Sequence, residues 1–248
     1  MIRLKTIVLL VLFGTSVSLA APSRQSAPET QPAAPSASAL ASTNLQAVLA
    51  QMDSSAASFR SAEADLSSVQ YQKVVDETDT QKGKAYFRRA GKNNLEMALD
   101  ITSPDAKYVL LKDDKVRLYQ PSIEQVTEYN IAKNRADVEG MFALGFGGRG
   151  HDLLKSFDVK LAGAELVQGV RATKLELAPR SDKVKNMFSL ITLWVDPARG
   201  ISLQQRFDEP SGDYRVAQYS NIRLNQKISD DVFKLKTTGS TKVVTPQG

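Results

Sequence analysis

The sequence holds 248 residues, with 32 lysines and arginines against 27 aspartates and glutamates, one histidine and a net charge of +5. So small a surplus, with no basic run interleaved with aromatics, argues against nucleic acid as a partner. The absence of cysteine excludes disulfides, thiolate nucleophiles and cysteine-ligated metals, and the length suits one large or two small domains.

Residues 1–20 read as a secretory signal peptide: Arg3 and Lys5 open it, Ile7 to Phe13 is apolar, and Ser18-Leu19-Ala20 places small residues before a cleavage point after Ala20. The apolar run is well short of the ~20 residues that a spanning helix needs. No cysteine follows it, so the mature chain is not expected to be a lipoprotein itself. In a bacterium with two membranes it would be soluble in the periplasm. Residues 21–42 are rich in Pro, Ala and Ser and are expected to be a disordered linker, because they cannot bury enough surface to offset their ordering entropy. Residues 43–248 are then one domain.

That domain starts with a helix, which Ser42, Thr43 or Asn44 can cap. Its apolar stripe is Leu45, Val48, Leu49 and Met52 at i, i+3, i+4, i+7. A strand is expected from Ala64 to Glu77, and Asp76 to Thr80 as a polar turn. The next stretch is a run of short strands: Gly83 to Arg89, Leu95 to Ile101, Tyr108 to Leu111, Val116 to Tyr119 and Ile123 to Tyr129. Leu95, Met97, Leu99 and Ile101 occupy every second place, the period of a half-buried strand. The connections, among them Ser103-Pro104-Asp105 and Asp113-Asp114, are short enough to allow only hairpins, so the sheet is antiparallel.

Two short helices are expected next, with Val138, Met141 and Phe142 on the first and Asp152 to Phe157 forming the second. Between them lies Gly145-Phe146-Gly147-Gly148-Arg149-Gly150. Strands then resume. Thr173, Leu175 and Leu177 share one face, Phe188 to Val195 is apolar and carries the only tryptophan, Trp194, and further strands cover Ile201 to Phe207 and Tyr214 to Leu224. Ile228 to Phe233 reads as a docking tail. The fold class is α+β: a large antiparallel sheet, one N-terminal helix and two small mid-chain helices.

Little catalytic chemistry is legible. Gly145, Gly147 and Gly150 fit G-x-G-x-x-G, but no βαβ unit surrounds them, so a flexible hinge is the better reading. His151 beside Asp152 resembles a base with its orienter, yet no G-x-S-x-G or S-x-x-K supplies a nucleophile, and one histidine cannot build a multi-histidine zinc site. No enzyme activity, metal or cofactor is expected. Arg88-Arg89 stands apart. On a strand one points outward and the other inward, and an arginine facing an apolar concavity needs partners such as carbonyls at a helix C-terminus.

Gly83 to Arg89, Ser103-Pro104-Asp105 and Tyr119-Gln120-Pro121-Ser122-Ile123-Glu124-Gln125 resemble landmarks of the periplasmic outer-membrane lipoprotein carrier (LolA-type) family. That family shows a glycine-led strand ending in Lys-Arg-Pro, a Pro-Asp turn and a Tyr-Asn-Pro-x-x-Glu-Gln segment, at similar intervals. Ala90 stands where the family usually has proline. The resemblance implies an incomplete, curved barrel with an apolar inner face under a helical lid. It implies that Arg89 is the lid latch. Leu45, Leu49, Met52, Leu95, Met97, Leu99, Ile101, Leu175, Leu177 and Trp194 are the cavity candidates, and Met141, Phe142, Gly145, Phe146, Gly147 and Gly148 the lid and hinge. The implied partners are acylated lipoproteins or lipids, an inner-membrane lipoprotein-releasing transporter and an outer-membrane acceptor, with the chain acting as a monomer. The rival readings are a lipid or lipoprotein sensor of the same fold that regulates a partner, an esterase or lipase, and an envelope scaffold.

Overall fold

The computed structural model describes residues 45–91, 94–142 and 144–246; the expected signal peptide, linker and helix caps lie outside the described residues, as does the side chain of Phe142. The elements are α1 (Leu45–Ser58), β1 (Ser61–Gln72), β2 (Glu77–Ala90), β3 (Asn94–Ser103), β4 (Lys107–Lys112), β5 (Lys115–Gln120), β6 (Gln125–Asn130), α2 (Arg135–Phe142), α3 (Gly150–Ser156), β7 (Phe157–Val167), β8 (Val170–Pro179), α4 (Asp182–Lys185), β9 (Leu190–Asp196), β10 (Ile201–Asp208), β11 (Tyr214–Leu224) and β12 (Lys242–Val244).

The strands form a single 12-stranded sheet in the order β12-β6-β5-β4-β3-β2-β1-β11-β10-β9-β8-β7. Two meanders, β2 to β6 and β7 to β11, meet across β1, and all pairings are antiparallel except the edge pair β12–β6. β7 and β12 do not pair with each other, so the sheet is open rather than a closed barrel. Residues of β3 and β9, well separated in strand order, nevertheless share one apolar cluster with α1. The sheet therefore curves around its inner face and the helices close the concavity. No described helix is long and apolar enough to cross a membrane.

Local chemistry explains most of the boundaries. Asp113 and Asp114 both have positive φ (53° and 55°), which makes the two-residue β4–β5 connection a primed hairpin turn, one that short polar side chains tolerate. The first hairpin departs from the sequence reading. β1 ends at Gln72, Val74 is 93% exposed in the turn, and β2 already begins at Glu77. Polar Glu77 to Thr80 pairs with Val69 to Gln72 as a hairpin extension beyond the core, so alternation with a buried face, the cue that marks strands in sequence, is absent there.

β3 also departs. Leu95, Met97, Leu99 and Ile101 face the common interior, yet Glu96 and Ala98 are buried as well. The tail covers their side: Phe233, on a short 3₁₀ turn (Asp230–Phe233), packs on Ala98 and Leu110.

Candidate functional site

The inner face carries, in register, Ala85 and Phe87 of β2 opposite Leu99 and Met97 of β3, and Leu177 and Leu175 of β8 opposite Ile191 and Leu193 of β9. Leu49 and Met52 of α1 are buried against this surface, with Leu45 partly buried at its margin. What remains open is a cavity of about 40 Å³ lined by Phe87, Met97, Leu99, Met141, Phe188 and Phe207, with Gln205, Arg215, Ala217 and Tyr219 completing the wall. That is room for about one water molecule. In this conformation the interior is shut.

Phe146 shuts it. The side chain is fully buried, stacked on Phe87 at 4.7 Å between ring centroids and edge-on to Tyr219 at 4.9 Å. The segment that carries it is held through its backbone carbonyls. Arg89 Nη2 donates to Gly147 O at 3.1 Å, the Ser202 amide donates to Gly145 O at 3.0 Å, and Gln205 Nε2 donates to Leu144 O. The flanking glycines are dictated by space as much as by φ. A Cβ on Gly145 would lie 2.1 Å from Ser202 Cβ, and one on Gly147 would lie 2.6 Å from Phe59 Cδ1. Gly150 lets α3 approach the backbone of α1, where a Cβ would meet Leu49 O at 2.4 Å. Each glycine of the G-x-G-x-x-G pattern thus marks a close contact of the closed form. Gly148 is half-buried beside them.

Arg89 lies at the rim of the concavity, at the end of the inward row of β2, and its residue is exposed rather than sunk in the apolar wall. Besides Gly147 it donates to Phe59 O at 3.3 Å and Ala56 O at 3.4 Å, the latter at the C-terminal end of α1, where the helix dipole favours a cation. One guanidinium thereby ties β2, α1 and the Phe146 segment together through long, neutral-acceptor bonds. Arg88 points the other way. It forms 3.0 and 2.6 Å bonds to Glu96, reaches Asp230 and lies 4.1 Å over the Phe233 ring.

One sequence-based assignment is corrected. Trp194 does not face the concavity. It pairs across the ladder with Lys174, packs with Val167, Ala172 and Leu203 on the opposite side of the sheet, and donates Nε1 to Glu165 at 2.7 Å. β9 is buried on both faces, so its composition gave no facing. His151 is not oriented by Asp152, which pairs with Lys155. Its Nδ1 contacts Asp53 at 2.6 Å and its Nε2 faces Gln46 Oε1 at 3.0 Å, so it joins α3 to α1. Burial works to raise the Asp53 carboxyl, but the bonds from His151 outweigh it and hold the group below its usual range.

The sequence reading missed the β10–β11 wall. Gln205 and Phe207 alternate on β10, as do Arg215, Ala217 and Tyr219 on β11. Arg215 is only 2% exposed. Burial pulls its guanidinium down to about 10, against the opposing effect of Glu209 at 3.6 Å. Lys107 sits at the same end of the sheet, where burial lowers it to about 8, with Asp105 and Asp79 opposing and Arg215 adding to the shift. Burial raises the Tyr219 phenol, whose hydroxyl donates to Gln205 Oε1 at 3.3 Å.

The fold has solved counterparts. An uncharacterized conserved protein from Thermus thermophilus is 12% identical, with a TM-score of 0.52 over 81% of this chain and 98% of that one. MucB is 12% identical, with a TM-score of 0.50 over 81% of this chain and 65% of its own. The lipoprotein LppX of Mycobacterium tuberculosis is 11% identical, with a TM-score of 0.47 over 76% of this chain and 99% of its own. These likenesses concern the fold alone. A comparison with curated proteins found no match. The family model described as "outer membrane lipoprotein carrier protein LolA" matches residues 58–236, most of the described domain, and the chain belongs to that family.

Proposed function

We propose that this chain is a periplasmic carrier that shields the acyl chains of lipoproteins within its concavity and delivers them to the outer membrane. The observation that carries the reading is Phe146. It fills the apolar interior as a bound chain would, on a segment retained by carbonyl hydrogen bonds that a small rearrangement releases. Family membership supports the same reading. On it, the signal peptide delivers the chain to the periplasm, and an inner-membrane releasing transporter and an outer-membrane acceptor stand at the two ends of the route.

The energetics suit the task. Each acyl CH₂ removed from water is worth ~0.8 kcal/mol, so a multi-chain anchor carries on the order of tens of kcal/mol and cannot cross water unshielded. Burial that is too complete would prevent release. A built-in occupant solves this: cargo replaces Phe146 on loading, and Phe146 replaces cargo on delivery. The net affinity is then the difference between two burials. Arg89 is the latch in this cycle, and Met141 and the glycine segment form the lid.

The test is native mass spectrometry of the mature chain mixed with a tripalmitoylated lipopeptide, with transfer to outer-membrane vesicles followed by sedimentation. One lipopeptide per chain, passed on to the vesicles, supports the carrier. Failure to take up lipopeptide overturns it. Uptake without transfer favours a lipid or lipoprotein sensor that regulates a partner.

A further inference from the structure

The far end of the interior carries charge that shielding alone does not require. Arg215 is buried in the cavity wall among Phe207, Phe188 and Leu99. A buried ion pair such as Arg215 with Glu209 contributes little net stability compared with apolar residues of the same volume. The placement therefore calls for a reason other than stability.

Position supplies one. Arg215, Ala217 and Tyr219 are successive inward residues of β11, and Tyr219 is the ring against which Phe146 lies. At ~3.3 Å per residue the Arg215 backbone lies roughly 13 Å along β11 from that of Tyr219, and both side chains line the same small cavity. Between them the wall carries Ala217 of β11 and, opposite it, Gln205 of β10. Gln70, also buried, stands opposite Arg215 in the ladder, and Lys107 brings a second buried cation to the same end. The charged groups facing that end from the surrounding strands are Glu209, which is buried, and Asp79 and Asp105, which are more exposed.

We propose that Arg215 is an anion subsite, receiving the terminal carboxylate of a single-chain fatty acid whose tail runs along Phe207, Phe188 and Leu99 into the space that Phe146 vacates. This rests on the acyl-binding reading above and adds a second ligand class to it. Guanidinium geometry matches a carboxylate through two parallel N–H bonds, and Glu209 fixes the orientation of the fork from its other side. Lys107 reinforces the local positive field. A chain whose end is uncharged would bury that end against a guanidinium with nothing to offer it, so the subsite discriminates by head rather than by tail.

The experiment compares three twelve-carbon probes below their micelle concentrations, dodecanoate, dodecanol and dodecyl phosphate, with the tripalmitoylated lipopeptide as reference, all titrated into the mature chain at pH 7. Dodecanoate is expected to bind at least about tenfold more tightly than dodecanol. In the double variant R215M/E209Q, which removes both partners so that neither is left as a lone buried charge, that ratio is expected to fall to near one. Equal affinity for acid and alcohol in the wild type overturns the proposal without any variant, as does a ratio that survives in R215M/E209Q. Dodecyl phosphate binding more tightly than dodecanoate overturns the carboxylate assignment in favour of a phosphate head. Lipopeptide binding with no preference for the acid removes this inference alone, whereas failure of every probe removes the acyl-binding reading with it.

Discussion

Two segments cover the two faces of the sheet, and each buries a phenylalanine. On the outer face Phe233 sits on Ala98 and Leu110; on the inner face Phe146 sits against Phe87 and Tyr219. Their apolar burial is similar, but their polar fixings are not. The outer cover is fixed by Arg88, which bonds Glu96 and Asp230 while stacking on Phe233, and by Tyr108, whose hydroxyl donates to Val232 O. The chain then continues into β12, which is paired to β6. The Phe146 segment is bound through carbonyl acceptors only, one of them by the Arg89 guanidinium, while carboxylates fix the short helices on either side: Asp114 bonds Arg135, Glu139 accepts from the Leu95 amide, and Asp53 accepts from the His151 amide. Charge-assisted bonds contribute about 1.5–3 kcal/mol each and neutral ones about 0.5–1.5 kcal/mol. On the carrier reading proposed above, the same aromatic anchor would serve as a permanent seal on one face and a removable one on the other.

The sharpest way to break this comparison is to truncate both anchors. Phe233→Ala should cost about 3–5 kcal/mol in urea unfolding, the usual range for a buried phenylalanine. Phe146→Ala should cost less, because its segment can leave without unfolding the sheet, and it should raise affinity for the tripalmitoylated lipopeptide. Equal losses with no gain in binding would make the inner cover ordinary core.

The adjacent arginines come next. Arg88→Met leaves the buried Glu96 carboxylate with only the longer contact to Lys112 at 3.6 Å and should cost about 1.5–3 kcal/mol. Arg89→Leu should cost about 1 kcal/mol or less, speed hydrogen exchange at residues 144–148, and strengthen cargo capture while slowing release. Unchanged exchange there would remove Arg89 from the latch. Gly147→Ala should act in the same direction, since its Cβ would collide with Phe59 in the closed form; a firmer closed lid would contradict that.

The smallest effect belongs to Lys107. Burial sets it near 8 in the folded chain against an ordinary 10.5. Between those values the unfolded chain holds a proton that the folded chain has shed, so this group makes stability rise with pH across that window. Lys107→Met should flatten that rise and lift the melting temperature at pH 7 by a few degrees. A variant that melts lower at pH 7 would show the ammonium to be satisfied.

Much of the inner face was legible because β3 announces itself: Leu95, Met97, Leu99 and Ile101 alternate with polar or small residues. Arg88 and Arg89 were separable because a strand sends neighbours to opposite faces. Trp194 was not placed, since β9 is apolar on both sides and offers no alternation. Arg215 was not singled out because its surroundings come from β1 and β10, and nothing near it in sequence states that pairing. Phe146 read as part of the lid and hinge, with no partner legible for its ring. Only the tertiary contacts of Phe87 and Tyr219 identify it as an occupant. Local periodicity reveals the facing of a residue within its strand, but not what arrives from distant parts of the chain.

The sheet order also bears on how the chain reaches this state. β1 lies in the middle of the sheet, with Ala62 opposite Leu224 and Tyr71 opposite Tyr214. A chain appearing N-terminus first can assemble β1 to β6 as successive hairpins, but the other side of β1 stays bare until β11 arrives. Contacts of such long sequence separation form slowly, and a bare strand edge invites pairing with other chains. Truncation before Leu224 should accordingly yield an aggregating meander rather than a smaller domain, and a newly made copy is most vulnerable in the interval before its last long strand closes the centre.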